Sequence, residues 1–214
     1  MSTAEFVCAM EEVLDVYERP YDESCPVICL DESPHQLISE ARQSFVDRKG
    51  VKHVDYEYRR EGVADVFMIA EPKAGKRFIQ VKDSHDSHQW AKVVACIAED
   101  LYRDATCITL VQDNLTAHRK AALYEIFEAE RARAILRRID FVHTPKHGSW
   151  LNMAEIELSV LNRVALRQRI GSKQQLQKQI KAYLKEKNSA AKKINWQFTT
   201  KDARTKLNKL YPKP

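Results

Sequence analysis

The stretch Cys107-Ile108-Thr109-Leu110-Val111-Gln112-Asp113-Asn114 opens on a continuous apolar run, Cys107 to Val111, with an acid close behind it. A run this short, without polar alternation, predicts a strand buried on both faces, and therefore a sheet covered by helices on each side. Val27-Ile28-Cys29-Leu30-Asp31-Glu32-Ser33 has the same design upstream, and Ser33-Pro34 is predicted to end it. Working outward, Val54 to Tyr58 alternates, Ala64 to Ala70 is apolar, and Arg77 to Val81 follows Pro72-x-x-Gly75, a hairpin signal. These runs predict an antiparallel meander. Residues 35–53 are polar and read as a solvated loop, and Phe141 to Pro145 reads as a last short strand.

Helical spacing appears from Phe6 to Tyr17, where Ser2-x-x-Glu5 resembles a capping box and Arg19-Pro20 stops the run. It recurs from Trp90 to Leu101 behind Ser84 or Asp86, in two segments reaching Arg138, from Asn152 to Arg169, and from Lys173 to Ala190. Thr199-x-x-Asp202 predicts a cap for a final short helix to Leu210. Strands and helices in this order give an α/β chain with a mixed sheet and helices on both faces.

The 214 residues suffice for one good core with appendages. The division expected is an N-terminal packing helix (1–22), a central domain (23–170) and a basic helical extension (171–214). The net charge of +5 hides an asymmetry: from Arg163 onward there are fifteen Lys and Arg against two acids, whereas residues 1–162 carry a net −8. Thirteen net positive charges at one end point to a polyanion partner, against the alternative of a solvated lysine face. The five cysteines form no C-x-x-C pair and lie in apolar runs, so they read as core fillers in a reducing cytosol. No apolar run approaches the ~20 residues of a spanning helix, so no membrane partner is expected.

The chemistry rests on Asp31 and Asp113, each at a strand end, and on Glu155 in His147-Gly148-Ser149-Trp150-Leu151-Asn152-Met153-Ala154-Glu155, a loop entering a helix. Strand ends in open α/β sheets form the crevice where ligands sit, so the two aspartates converge if their strands are neighbours. Each acid also has an ordinary reading. Asp31 and Asp113 suit turns and caps, and Asn152-x-x-Glu155 has the spacing of a capping box. Glu157 points about 200° around the helix from Glu155, so only one of the two can face a cleft.

The segments Cys29-Leu30-Asp31-Glu32, Val111-Gln112-Asp113-Asn114 with His118, and Thr144-Pro145-Lys146-His147 through Glu157 resemble the three acidic signatures of a transposase family. It is the bacterial insertion-sequence branch of the mariner-like superfamily, and the similarity runs from about Phe6 to Tyr211. The resemblance implies an RNase H-like, retroviral-integrase-like DDE domain with a mixed five-stranded sheet. It implies that Asp31, Asp113 and Glu155 bind two Mg²⁺ ions, with Mn²⁺ as a substitute, for cleavage and strand transfer at insertion-sequence ends. Hard cations take carboxylate oxygens and leave positions open for substrate and water.

His118, Lys146, His147, Trp150, Arg163, Arg167 and Arg169 are the candidate contacts to double-stranded DNA, both element ends and target. Orienting Asp113 is a second role for His118, and packing under the loop a second role for Trp150. Family members usually carry a helix-turn-helix region, for which only one helix fits before Asp31; the expectation is either a separately encoded recognition part or a truncated or repurposed catalytic domain. A homodimer in the active form and a nucleoid-associated place in a bacterial cytoplasm are expected by the same analogy. The missing recognition region also supports a different function, a catalytically silent DNA-binding or assembly subunit derived from a transposase.

Overall fold

The run from Cys107 does form the interior of a sheet. The computed structural model describes residues 3–42, 45–53 and 56–213, and within them five strands stand in the order β5-β4-β1-β6-β7. In chain order the elements are α1 (Thr3–Glu18), β1 (Val27–Glu40), β2 (Phe45–Val46), β3 (Lys52–His53), β4 (Tyr58–Glu71), β5 (Lys76–Lys82) and α2 (Ser87–Cys96). They continue with β6 (Ile108–Gln112), α3 (Ala121–Ile126), α4 (Ala129–Arg138), β7 (Ile139–His143), α5 (Met153–Val164), α6 (Lys173–Ala190) and α7 (Thr200–Lys206). β1, β4 and β5 run antiparallel as the predicted meander, while β1, β6 and β7 are mutually parallel. Every residue of β6 is buried, as a strand covered on both faces requires.

Side-chain alternation sends Ile28, Leu30, Phe67 and Ile69 to one face, where Trp90 and Val94 of α2 and Ile135 of α4 complete a core. Cys29, Val66, Met68 and Val111 face the other way, onto Leu14 of α1 and Leu158 of α5. Leu176, Ile180 and Tyr183 of α6 and Ala203 of α7 are buried in that same second core, so the basic C-terminal helices lay their apolar stripe on the sheet and turn their lysines outward. Asp86, one of two predicted caps, starts α2 by accepting from the His88 and Gln89 backbone N–H groups. Thr199 and Asp202 form a reciprocal capping box on α7. Ser2, predicted to cap α1, lies outside the described residues.

Several boundaries differ from the sequence reading. Ser33-Pro34 does not end β1, which continues to Glu40 paired with β4. Pairing with β6 covers only Val27 to Cys29, so beyond that point one side of β1 is open. Pro34 can sit there because an edge makes no demand for its missing N–H. The predicted loop of residues 35–53 is therefore partly strand, capped by the small β2–β3 hairpin. The two runs expected at Val54–Tyr58 and Ala64–Ala70 give one strand, β4, from Tyr58 onward; Val54 and Asp55 lie outside the described residues. α5 stops at Val164 rather than Arg169, because the chain peels away to bury Leu166 and Ile170, and the Ile170 carbonyl accepts from Ile38 N–H on the open edge of β1 at 2.8 Å.

The cysteine reading also needs correction. Cys25 and Cys107 are joined in a disulfide at the starts of β1 and β6, with Cα atoms 4.7 Å apart, and Cys8 is exposed. Cys29 is the buried filler that was expected. Among the described residues no helix is long and apolar enough to cross a membrane.

Candidate active site

The register of the parallel strands decides where the aspartates stand. Ile28 pairs with Leu110 and Cys29 with Val111, and this pairing stops two residues short of Asp31, which lies within β1, and of Asp113, which follows the last residue of β6. Glu155 arrives from the first turn of α5, which packs on β1 and β4. Asn152 fixes that arrival: its side-chain oxygen caps the helix by accepting from Ala154 N–H at 3.1 Å, and its side-chain amide donates to the Leu30 carbonyl at 2.8 Å. The reciprocal half of a capping box is not made. The Asn152 N–H donates instead to the Ser149 carbonyl at 2.7 Å, which leaves the exposed Glu155 carboxylate uncommitted to the cap.

Glu157 takes the opposite direction. It is 6% exposed and grips Arg77 of β5 through two 2.8 Å hydrogen bonds from Nε and Nη2. The ambiguity between the two glutamates is thereby resolved by packing: Glu157 holds β5, and Glu155 faces the acids.

The three carboxylates share one electrostatic neighbourhood. Burial pushes the Asp31 carboxyl up to about 7, with further contributions from the charges of Glu32, Asp113 and Glu155, against a 2.9 Å hydrogen bond from Glu32 N–H to its Oδ1. An open groove of about 640 Å³ runs from Asp31 along α5, past Ser149, Glu155 and Ser159 to Asn162 and Arg163. Asp113 is not part of its lining and approaches the cluster from the β6 side.

Among the described residues, no three His, Cys, Asp or Glu side chains are already drawn close enough to grip an ion. The donor set nonetheless suits a hard divalent cation, being made of carboxylates whose mutual repulsion a bound positive charge relieves.

His118 does not reach solvent and so is not a DNA contact. Its side chain is 1% exposed, with Nδ1 2.7 Å from Asp113 Oδ1 and Nε2 3.2 Å from Glu32 Oε1, and its ring stacks on Trp90 at 5.7 Å. Burial works against its charged form, but the bonds and charges of Asp113 and Glu32 outweigh that and push it up to about 10. Sequence reasoning passed over Glu32. The signal was the Asp31-Glu32 doublet itself, since strand alternation sends neighbouring acids to opposite faces.

Of the three arginines following Glu155, only Arg163 borders the groove. Arg167 lies at a separate depression with Gln175 and Gln179. Arg169 is taken up within the chain, donating to the carbonyls of Tyr56 and Glu57 and lying over the Tyr58 ring. Lys146 and His147 are exposed on the turn after β7. His147 has φ 66, and a Cβ on Gly148 would stand 2.6 Å from Pro145 Cγ, so that turn requires glycine. Trp150, 43% exposed, rests edge-on against Phe198 and still offers a free face.

Compared with known families, residues 26–177 match the model described as DDE superfamily endonuclease. The chain belongs to the DDE superfamily endonucleases. No curated protein matches. Among solved structures, this DDE-family chain is similar to the Mos1 mariner paired-end complex with Mn, at TM-score 0.59 and 14% identity over 86% of this chain and 55% of that one. The mariner Mos1 paired-end complex with Mg gives TM-score 0.59 and 15% identity over 89% of this chain and 56% of that one. The Mos1 strand transfer complex gives 0.57 and 11%, over 86% and 55%. At such identity the likeness is one of fold, the RNase H-like sheet with its helices. The DDE-family chain spans just over half the length of the Mos1 chains it matches.

Proposed function

We propose that this chain is a transposase catalytic domain that cuts DNA at insertion-sequence ends and joins the freed 3′-hydroxyl to a target. The observation that carries the reading is the parallel pairing of β1 and β6 that ends two residues before Asp31 and Asp113, while Asn152 ties the Glu155 helix to β1. Asp31, Asp113 and Glu155 would hold two Mg²⁺ ions, or Mn²⁺ in their place, which when bound supply activation of the attacking oxygen and stabilisation of the leaving one. The protein's own part is positional. Asp31 presents its oxygens from within β1, just past the segment paired with β6, and Asp113 from just past the end of β6; Glu155 closes the cluster from α5, and Ser159, Asn162 and Arg163 line the path along which a strand would lie. Arg163, with Lys146, His147 and the exposed face of Trp150, would contact the DNA backbone or a splayed base. The working form would be a homodimer bringing two ends together in the nucleoid of a bacterial cytoplasm, with end recognition supplied by a helix-turn-helix part.

The test is incubation of the protein with labelled element ends and Mg²⁺ or Mn²⁺, beside Asp113→Asn and Glu155→Gln. Cleavage and joining that both substitutions abolish support the reading. Binding without cleavage, unchanged by either, supports a catalytically silent DNA-binding subunit. Duplex affinity should fall steeply with salt, and Arg163→Ala should reduce that slope by about one.

A further inference from the structure

Behind the acid cluster lies a second arrangement that the proposed chemistry does not use. The Glu32 side chain is 4% exposed; its Oε1 is 3.2 Å from His118 Nε2, an ion-pair contact, and both of its oxygens, like His118 Nε2 and Asp113 Oδ1, are buried without an aligned hydrogen-bond partner. The other ring nitrogen of His118 reaches Asp113 Oδ1 at 2.7 Å and the carbonyl oxygen of the same residue at 3.2 Å. The ring itself is fixed. It stacks on Trp90, whose indole N–H donates to Gln112 Oε1 at 2.9 Å, so the residue before Asp113 belongs to the same assembly. A buried carboxylate with one partner is costly to keep, and the strand register does not call for it, because β1 and β6 are already paired up to Cys29 and Val111. The couple stands just past that pairing, beside Asp31 within β1 and Asp113 after β6.

We propose that Glu32 and His118 are positioning residues that hold the Asp113 carboxylate by one oxygen and present the other to a divalent cation shared with Asp31. Asp31 is treated alike, since the Glu32 N–H takes its Oδ1, so one residue restrains both aspartates, one through its backbone and one through His118. An acid–imidazole pair behind a ligand is how metal sites fix the direction of a donor. This inference rests on the reading of Asp31, Asp113 and Glu155 as ligands.

The test measures Mn²⁺ affinity of the full chain by electron paramagnetic resonance, without DNA, for wild type, Asp113→Asn, Glu32→Gln, His118→Ala and His118→Asn. Positioning predicts that Glu32→Gln and His118→Ala each weaken Mn²⁺ binding about 10- to 100-fold. Combining them should cost little more than one alone. His118→Asn keeps a donor near the Nδ1 position and should recover part of the loss. Charge alone predicts otherwise: an imidazole is neutral or positive, so removing it should leave cation binding unchanged or tighter. Unchanged or tighter binding in His118→Ala, or losses that simply add in the double variant, overturns the proposal while Asp113→Asn still abolishes binding. If the wild type binds no Mn²⁺, or Asp113→Asn binds it normally, the ligand reading itself fails and this inference falls with it.

Discussion

The side-chain amide of Asn152 donates to the carbonyl oxygen of Leu30 at 2.8 Å, joining the helix that carries Glu155 to the strand that carries Asp31. Asn152 is fully buried, so its loss removes a helix cap and orphans a carbonyl. Asn152→Ala should cost about 2–4 kcal/mol in urea unfolding, from a cap worth about 1 and an unsatisfied buried acceptor worth about 1–3. DNA cleavage measured on the fraction that remains folded should also fall, because Glu155 loses its fixed approach to Asp31. Full cleavage in that fraction would show that the tie serves stability only.

The two glutamates of α5 should behave in opposite ways. Glu157→Gln leaves Arg77 buried without its charge partner, and breaking such a pair costs about 3–5 kcal/mol. Glu155→Gln sits on an exposed position, where stability changes stay within about 0.5 kcal/mol, yet it should abolish metal-dependent cleavage. Paired denaturation and cleavage measurements separate them, and a stable, active Glu155→Gln protein contradicts the assignment.

Divalent cation should stabilise the chain. The repulsion that Glu32, Asp113 and Glu155 exert on Asp31 is relieved by a bound positive charge. At one hundred times the dissociation constant, a single site adds about 2.7 kcal/mol. For a chain of this size that is roughly 5–10 °C in thermal melting with Mg²⁺ or Mn²⁺. Asp31→Asn should lose most of the gain.

Reduction of Cys25–Cys107 should lower stability. The bond closes an 82-residue separation, and links of this kind contribute about 2–4 kcal/mol, largely through the unfolded chain. Melting with and without reductant, beside a Cys25→Ser, Cys107→Ser double variant that no longer responds, gives the comparison.

The last helix should respond to acid. Hydrogen bonds from Thr199 and then Lys206 hold the Asp202 carboxyl at about 2, below its ordinary 3.8. A depressed carboxylate contributes stability above its unfolded value and loses it as pH falls through the folded one. Acid-unfolding curves of wild type and Asp202→Asn should therefore separate above pH ~4 and converge near pH ~2. Thr199→Ala, which removes the cap, should cost about 1 kcal/mol at neutral pH.

The sheet could be read from the chain because β6 is mostly apolar and buried throughout, and the Pro72–Gly75 hairpin carried its own turn signal. The extent of β1 was hidden because Pro34 ends a strand only where its N–H is needed, and that depends on which neighbour stops first. By spacing alone Glu155 was half of a capping box, and only the resemblance to the third acidic signature marked it as a ligand. Its release from that role depends on a bond from the Asn152 N–H to Ser149, which spacing cannot foretell. His118 stood out, but its partner across the fold did not: nothing in the run around Glu32 announces a histidine eighty-six positions away. The Cys25–Cys107 bond was equally invisible, being a matter of two strand starts lying side by side.

The β4–β5 turn also settles what can be cut away. A Cβ on Gly75 would stand 2.4 Å from the carbonyl oxygen of Ala191, Ile194 N–H donates to the Pro72 carbonyl at 2.9 Å, and Arg77 reaches the Lys192 carbonyl at 3.0 Å. The segment leaving α6 is thus latched beneath the hairpin rather than trailing from it. A fragment stopped near Gly171 would lack one wall of its own interior, and screening of shortened versions should find them insoluble before it finds them inactive.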